Sequence, residues 1–284
     1  MKTYMDCIPC FVRQTLEVAR MVSDKPEIQE NIMREALALA RNLDFSDSPP
    51  ALAQKMHRVA RDLSRNSDPY KNLKKQFNDF ALELYPTLKQ RVLNSGDRLD
   101  TAARIAIAGN IIDFGVHSKV SRTDVNHSID QALEAPIPPD VISSLKKQIK
   151  KATDILYLGD NAGEIVLDRL LIEQMPTDKL SFVVKGKPII NDVTMEDAED
   201  VGMTKVCDVI DNGADVPGTI LELCSPEFRE RFEKADLIIA KGQGNYETLS
   251  RVKHKIFFLL KAKCPVIARD IGCEIGKVII LEKN

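Results

Sequence analysis

Ile155-Leu156-Tyr157-Leu158-Gly159-Asp160-Asn161-Ala162-Gly163-Glu164 is the stretch on which the reading of the fold turns. Four uninterrupted apolar residues read as a strand buried on both faces, the kind found in sheets covered by helices on both sides. A glycine, an acid, an amide and a second glycine close the strand, and a helical pattern starts at Glu164. The same alternation continues downstream. Short β-branched runs at 155–158, 180–184, 206–210, 237–240, 265–268 and 278–281 read as strands. Helical patterns lie between most of them, including 195–201 and a start at Ser225-Pro226-Glu227, which offers a cap residue, a first-turn proline and an acid. The run 256–260 fits either a helix or a strand. Strands alternating with helices imply a mostly parallel sheet in a three-layer α/β/α domain.

Upstream, the period changes from two to nearly four. Helices are expected at 11–22, 26–43, 50–64, from Tyr70 onward, at 99–114 and at 124–133. The Tyr70 helix carries Leu73, Phe77, Phe80 and Leu84 as one apolar stripe, and Pro86 is expected to end or kink it. Helix 99–114 is apolar on most sides and should be buried. Glu134-Ala135-Pro136-Ile137-Pro138-Pro139 is a stiff connector. It divides an all-helical N-terminal domain, 1–134, from an α/β/α domain, 135–284, that is expected to bind metal and phosphate.

Composition narrows the function classes. Forty basic and 42 acidic residues leave a formal charge of −2, which gives no drive toward nucleic acid or anionic membrane. No run approaches the roughly 18 apolar residues of a membrane span, and the first residues lack the apolar stretch of a signal peptide. The expected location is therefore the cytoplasm. Six cysteines are too few for a disulfide scaffold in 284 residues. Cys207, Cys224, Cys264 and Cys273 read as small core hydrophobes, and only Cys7 and Cys10 are closely spaced. There is no P-loop, no complete dinucleotide fingerprint, no GxSxG elbow, and no zinc-ligand spacing among the four histidines.

In an open α/β sheet, ligands bind beyond the carboxyl ends of the strands, and three turns there carry chemistry. Asp160 and Asn161 are hard oxygen donors suited to magnesium, manganese or a related divalent ion, unless they merely cap the helix that follows. The N–H groups after Asn161, from Gly163 and Glu164 onward, open a helix and suit phosphate. After the second strand, Lys185-Gly186-Lys187-Pro188-Ile189-Ile190-Asn191-Asp192 offers Lys185 and a second carboxylate, Asp192, which could itself be a cap. After the fourth, Lys241-Gly242-Gln243-Gly244-Asn245 places a lysine that should point its ammonium into the cleft, beside glycines that allow close backbone approach. In the helical half, Asn110 and Asp113 share one face of an apolar helix, and that face is expected to look into the cleft.

Taken in order, Gly109-Asn110 with Asp113, Asp160-Asn161 with Gly163-Glu164, Asn191-Asp192-Val193-Thr194, and Lys241-Gly242 with Gly244-Asn245-Tyr246 resemble the metal-dependent damage-control phosphatase family. Cys7-Ile8-Pro9-Cys10 resembles its prokaryotic, CxxC-bearing branch. The resemblance covers nearly the whole chain. It implies hydrolysis of small phosphate esters, such as sugar phosphates or damaged phosphometabolites, with magnesium, manganese, cobalt or nickel as cofactor. It implies that Asp160, Asn161 and Asp192 hold the metal, and that Lys241 and Asn245 contact phosphate. Asp160, Asp113 and Lys241 are then the catalytic candidates. Asn110, Gly163, Glu164, Lys185, Gly242 and Asn245 are candidates for substrate binding. The expected partner is a small phosphorylated metabolite. Two rivals remain open: an S-adenosylmethionine-dependent methyltransferase, and a non-catalytic sugar-phosphate or nucleotide binder.

Overall fold

The architecture is that of a computed structural model, which describes residues 1–111 and 122–284. The described chain begins with α1 (Cys7–Val22), α2 (Pro26–Arg41), α3 (Pro49–Ser64), α4 (Lys71–Leu93), α5 (Arg98–Ala108), α6 (Arg122–Glu134) and α7 (Pro139–Lys151). Strands then alternate with helices: β1 (Ile155–Leu158), α8 (Glu164–Ile172), β2 (Leu180–Val184), α9 (Met195–Asp200), β3 (Asp208–Asp211) and α10 (Pro226–Lys234). The chain closes with β4 (Leu237–Lys241), α11 (Gly242–Leu249), β5 (Ile256–Lys261), α12 (Pro265–Ile271) and β6 (Val278–Lys283). No helix among the described residues is long and apolar enough to cross a membrane.

The sheet runs β3-β2-β1-β4-β5-β6, parallel throughout except for the antiparallel β5–β6 pair. The winding reverses at β1, which has β2 on one side and β4 on the other. A reversal of this kind opens a crevice beyond the strands' carboxyl ends, because the two following connections leave on opposite faces.

Alternation along the strands builds two cores. Ile155, Tyr157, Phe182, Ile239 and Phe257 pack in one cluster with α4, α5, α6 and α8, whose contributions include Leu88, Ile105, Val125 and Leu167. Leu156, Leu158, Val183, Ile238 and Phe258 pack in the other, with Phe228 and Phe232 of α10, Tyr246 of α11 and Ile267 of α12. Helices α4 to α6 thus share a core with the sheet, whereas α1 to α3 close smaller clusters around Phe11 and Leu52 and around Val18 and Ile32.

The structure corrects some sequence expectations and decides others. Residues 265–268, expected as a strand, form the start of α12: Cys264 is extended at the N-cap position and Pro265 takes the first helical position, where its missing N–H costs nothing. The ambiguous run is β5, buried between β4 and β6. The third strand starts two residues later than expected, at Asp208. Pro86 does not end α4, which continues to Leu93. Losing one helical bond to proline costs about 3 kcal/mol. Burying Leu88 and Val92 beyond it recovers roughly 1.5–3 kcal/mol each. Helix α5 stops at Ala108 and passes into a 3₁₀ turn, Gly109–Ile111; the rest of the expected helix, with Asp113, lies outside the described residues.

Candidate active site

At the end of β1 the chain has no room for a side chain. A Cβ on Gly159 would stand 2.6 Å from Phe182 Cζ and 2.9 Å from Val193 Cγ1. Asp160 and Asn161 follow, and the turn after β2 comes to meet them. The Ala162 N–H donates to Asn191 O at 2.9 Å, the Val193 N–H donates to Asp160 O at 2.9 Å, and Asn161 and Asp192 face each other across an isolated antiparallel bridge. Parallel neighbours end at the same edge of a sheet, so the two acidic turns are stitched into one corner. From β4, Gly242 completes it. With φ at +75°, this residue presents bare backbone to the Asp160 carboxylate, and a Cβ there would land 1.8 Å from Asp160 Oδ2. The carboxylate therefore lies against the start of α11, where the helix dipole favours negative charge.

A buried polar layer supports the corner. Asn161 Nδ2 donates to Asp160 Oδ2 at 2.9 Å and reaches Glu164 Oε2 at 3.3 Å. Asn110 Nδ2 donates to Glu164 Oε2 at 2.9 Å and to Asp160 Oδ2 at 3.3 Å. Glu164 Oε1 accepts from the Lys241 ammonium at 2.5 Å, and Asp168 Oδ1 accepts from the same ammonium at 2.5 Å and from the Tyr157 hydroxyl at 2.9 Å. Burial pushes the Asp168 carboxyl upward, and the nearby Glu164 pushes it further against the pull of Lys241. Burial alone would lower the Lys241 pKa, but Asp168 and Glu164 together hold it above the ordinary lysine value.

Several expected roles change with this geometry. Lys241 does not point into the cleft. Its side chain is fully buried, and its three N–H donors are taken by Ala106 O, Glu164 and Asp168. Most N–H groups after Asn161 are already engaged: Ala162 donates to Asn191 O, Gly163 to Asn78 Oδ1, and Ile165 and Val166 to Asn161 O and Gly163 O. Asn245 is fully buried, with Nδ2 on Gly159 O and Lys241 O and with Oδ1 accepting from the Thr219 hydroxyl. Its amide pins β1, β4 and the 217–219 loop together. Lys185 stays in the corner, 3.4 Å from Asp192 Oδ2 and bonded to Gly218 O.

Sequence reasoning missed Asp168 and Asn78. Asp168 follows Glu164 by four residues, one helical turn along the same face, and that spacing could have marked it. Asn78 sits on α4, four residues after Lys74, on a helix read only for its apolar stripe.

The donor set fits a hard divalent ion. Asp160, Asn161 and Asp192 offer hard side-chain oxygens, and Asn110 Oδ1 is a buried oxygen with no hydrogen-bond partner among the described residues. Two carboxylates completed by amide oxygens and water make a magnesium-type site. Charge points the same way. In the described corner, the carboxylates of Asp160, Glu164, Asp168 and Asp192 face the two ammonium groups of Lys185 and Lys241. Among the described residues, no three His, Cys, Asp or Glu side chains stand together as a ready ligand set, so nothing resembles a soft zinc centre.

Cys7 and Cys10 are both partly buried in the first turn of α1. Burial first raises the pKa of both thiols, and Glu247 and Cys264 raise each further.

The chain is similar to known proteins along nearly its whole length. Residues 3–279 match the model of the damage-control phosphatase ARMT1-like domain. A protein of Methanocaldococcus jannaschii is 38% identical, over 98% of this chain and 94% of its own length. A damage-control phosphatase of Pyrococcus horikoshii is 34% identical, over 100% of this chain and 99% of its own. The crystal structure of a DUF89 family protein from Pyrococcus horikoshii superposes with a TM-score of 0.90 at 33% identity, covering both chains completely. With the family model spanning nearly every residue and the acidic corner in place, this chain belongs to the ARMT1-like damage-control phosphatase family.

Proposed function

We propose that this protein is a metal-dependent phosphatase that hydrolyses small phosphate esters, sugar phosphates or damaged phosphometabolites among them. One observation carries the reading: the Asp160-Asn161 and Asn191-Asp192 turns are joined backbone to backbone, so that two carboxylates and an amide share one corner beyond β1 and β2. The names of the Pyrococcus horikoshii and Archaeoglobus fulgidus relatives, both damage-control phosphatases, support it.

Asp160, Asn161 and Asp192 would hold the ion, with Asn110 Oδ1 beside them. A divalent ion there supplies charge neutralisation for the phosphate oxygens and lowers the pKa of water. The chain's own residues do the rest. Glu164, fixed by Lys241, accepts from the amide nitrogens of Asn110 and Asn161 and so sets the orientation of both amides. Lys185, beside Asp192 at the mouth of the corner, would hold a phosphate oxygen. Lys241 and Asn245 act from beneath as supports.

The methyltransferase reading fits less well. It needs an open glycine turn after β1, whereas the space above Gly159 is filled by Phe182 and Val193. The test is calorimetric titration with magnesium and manganese, together with hydrolysis of a generic aryl phosphate. Asp192→Asn should weaken metal binding and cut turnover by about 100-fold or more while the fold is kept. Full activity of that variant, or undiminished wild-type turnover after thorough chelation, would overturn the reading.

A further inference from the structure

Helix α4 belongs to the helical first half, yet it reaches both acidic turns. Asn78 is almost completely buried. Its Oδ1 accepts from the Gly163 N–H at 2.6 Å, and its Nδ2 donates to Asp197 Oδ1 at 3.1 Å. One amide thereby uses both of its ends, one on the first turn and one on α9, the helix that follows the second. Asp197 is itself tied back to the second turn, since its Oδ2 accepts from the Thr194 N–H at 2.9 Å and the Thr194 hydroxyl at 2.7 Å. Lys74, one helical turn before Asn78, pairs with the same Asp197 carboxylate and with Asp68, each at 3.1 Å. The charge on Asp197 is therefore compensated, and the carboxylate is held in place as an acceptor for Asn78.

Gly163 lies two residues after Asn161, and Thr194 lies two residues after Asp192. Nearer the sheet, the turns are joined by the bonds from Ala162 to Asn191 and from Val193 to Asp160. Asn78, acting through Asp197, adds a further tie between the same two turns from a third element, α4, and each added tie narrows the range of widths the corner can take.

We propose that Asn78 is a positioning residue that sets the separation of the two acidic turns, and with it the size of divalent ion the site accepts. This rests on the metal-dependent reading above. The physical reason is that small and large ions differ in tolerance. Magnesium demands near-ideal octahedral geometry at about 2.0–2.1 Å, whereas calcium accepts about 2.3–2.6 Å and irregular shells. A corner of fixed width favours the small ion, and a corner free to open loses that preference. Asn78 touches neither ion nor substrate, so it acts through Gly163 and Asp197 alone.

The test measures binding of magnesium and of calcium, each alone, by calorimetry. The proteins are wild type, Asn78→Ala, Asp197→Asn, and Lys75→Ala as a control from the exposed face of the same helix, where Lys75 pairs with Asp79. The expected result is that Asn78→Ala weakens magnesium about 10-fold and calcium by less than about 3-fold, so that the ratio of the two constants moves. Asp197→Asn, which keeps the shape but weakens the acceptor, should move the ratio the same way and covers the case in which Asn78→Ala folds poorly. Lys75→Ala should leave the ratio unchanged. Equal weakening of both ions, or an unmoved ratio in both variants, overturns the assignment while leaving the phosphatase reading intact. A wild-type protein that binds neither ion overturns both.

Discussion

Lys241 follows the apolar run of β4 and, from sequence, should reach into the cleft. Its ammonium instead lies beneath the corner, between Glu164 and Asp168, with Ala106 O as third acceptor. The distinction can be measured. Lys241→Met removes the one cation facing two buried carboxylates and should destabilise the fold by about 3–5 kcal/mol in urea unfolding. Adding Asp168→Leu should restore part of that loss, because one of the two stranded carboxylates is gone. A lysine acting only as a phosphate ligand would behave differently: Lys241→Met would keep the wild-type unfolding midpoint and raise only KM. Ile190 is a second residue whose setting is tertiary. It is β-branched, has φ at +47°, and packs with Val18, Ile32 and Tyr70. Positive φ is costly for such a side chain, so the helical cluster holds the approach to Asp192 in a conformation the loop would not take alone.

Among elements, α3 acts as a clamp. Gln54, Arg58 and Arg61 stand on one face at spacings of four and three, and all three bond the Asp215 carboxylate at 2.6–3.0 Å. Arg61 also donates to Pro188 O, so one helix holds the loops after both β2 and β3. Partial burial would raise the Asp215 pKa, but the bonds from Arg58 and Arg61 override it and pull the carboxyl down to about 2. A folded pKa below the unfolded one stabilises above about pH 4 and is lost as pH falls toward 2. Arg58 is half exposed, which screens its share. Asp215→Asn should therefore cost on the order of 1–2 kcal/mol at pH 7, and the gap to wild type should narrow below about pH 3, by denaturant titration at both pH values.

For the whole molecule, the seam between α1–α3 and the sheet domain carries its own pH sensitivity. His57 is buried there and lines a small cavity with Arg61, Tyr70, Pro188 and Ile190. Burial first, and Arg61 second, lower its pKa to about 4. Because the unfolded chain takes up the proton near pH 6.5 and the fold does not, stability is complete above about pH 6.5 and falls between there and pH 4. The loss reaches roughly 2–3 kcal/mol. Thermal melts across pH 4–7 should show His57→Leu losing less stability than wild type over that window. Parallel curves would mean that the seam does not titrate.

The alternation of strands and helices, the acidic turns and their meeting beyond β1 and β2 were all legible in the sequence. Each depends on local pattern plus one rule, that parallel strands end on the same edge. Asp160, Asn161 and Asp192 could be placed together on that basis, as could Gly242 beside them. The strand-like run at 265–268 misled because β-branched residues and a first-turn proline suit two structures at short length. The direction of long polar side chains was decided only by the tertiary structure. Lys241 answers to residues 106, 164 and 168, Asn245 to residue 219 and the end of β1, and Asn78 to partners 85 and 119 residues away. Hydrogen bonds and charge act over a few ångströms of space, whatever the separation along the chain. A residue's type and local pattern therefore set which element it joins, while its partners, and with them its role, come from elements the pattern does not connect.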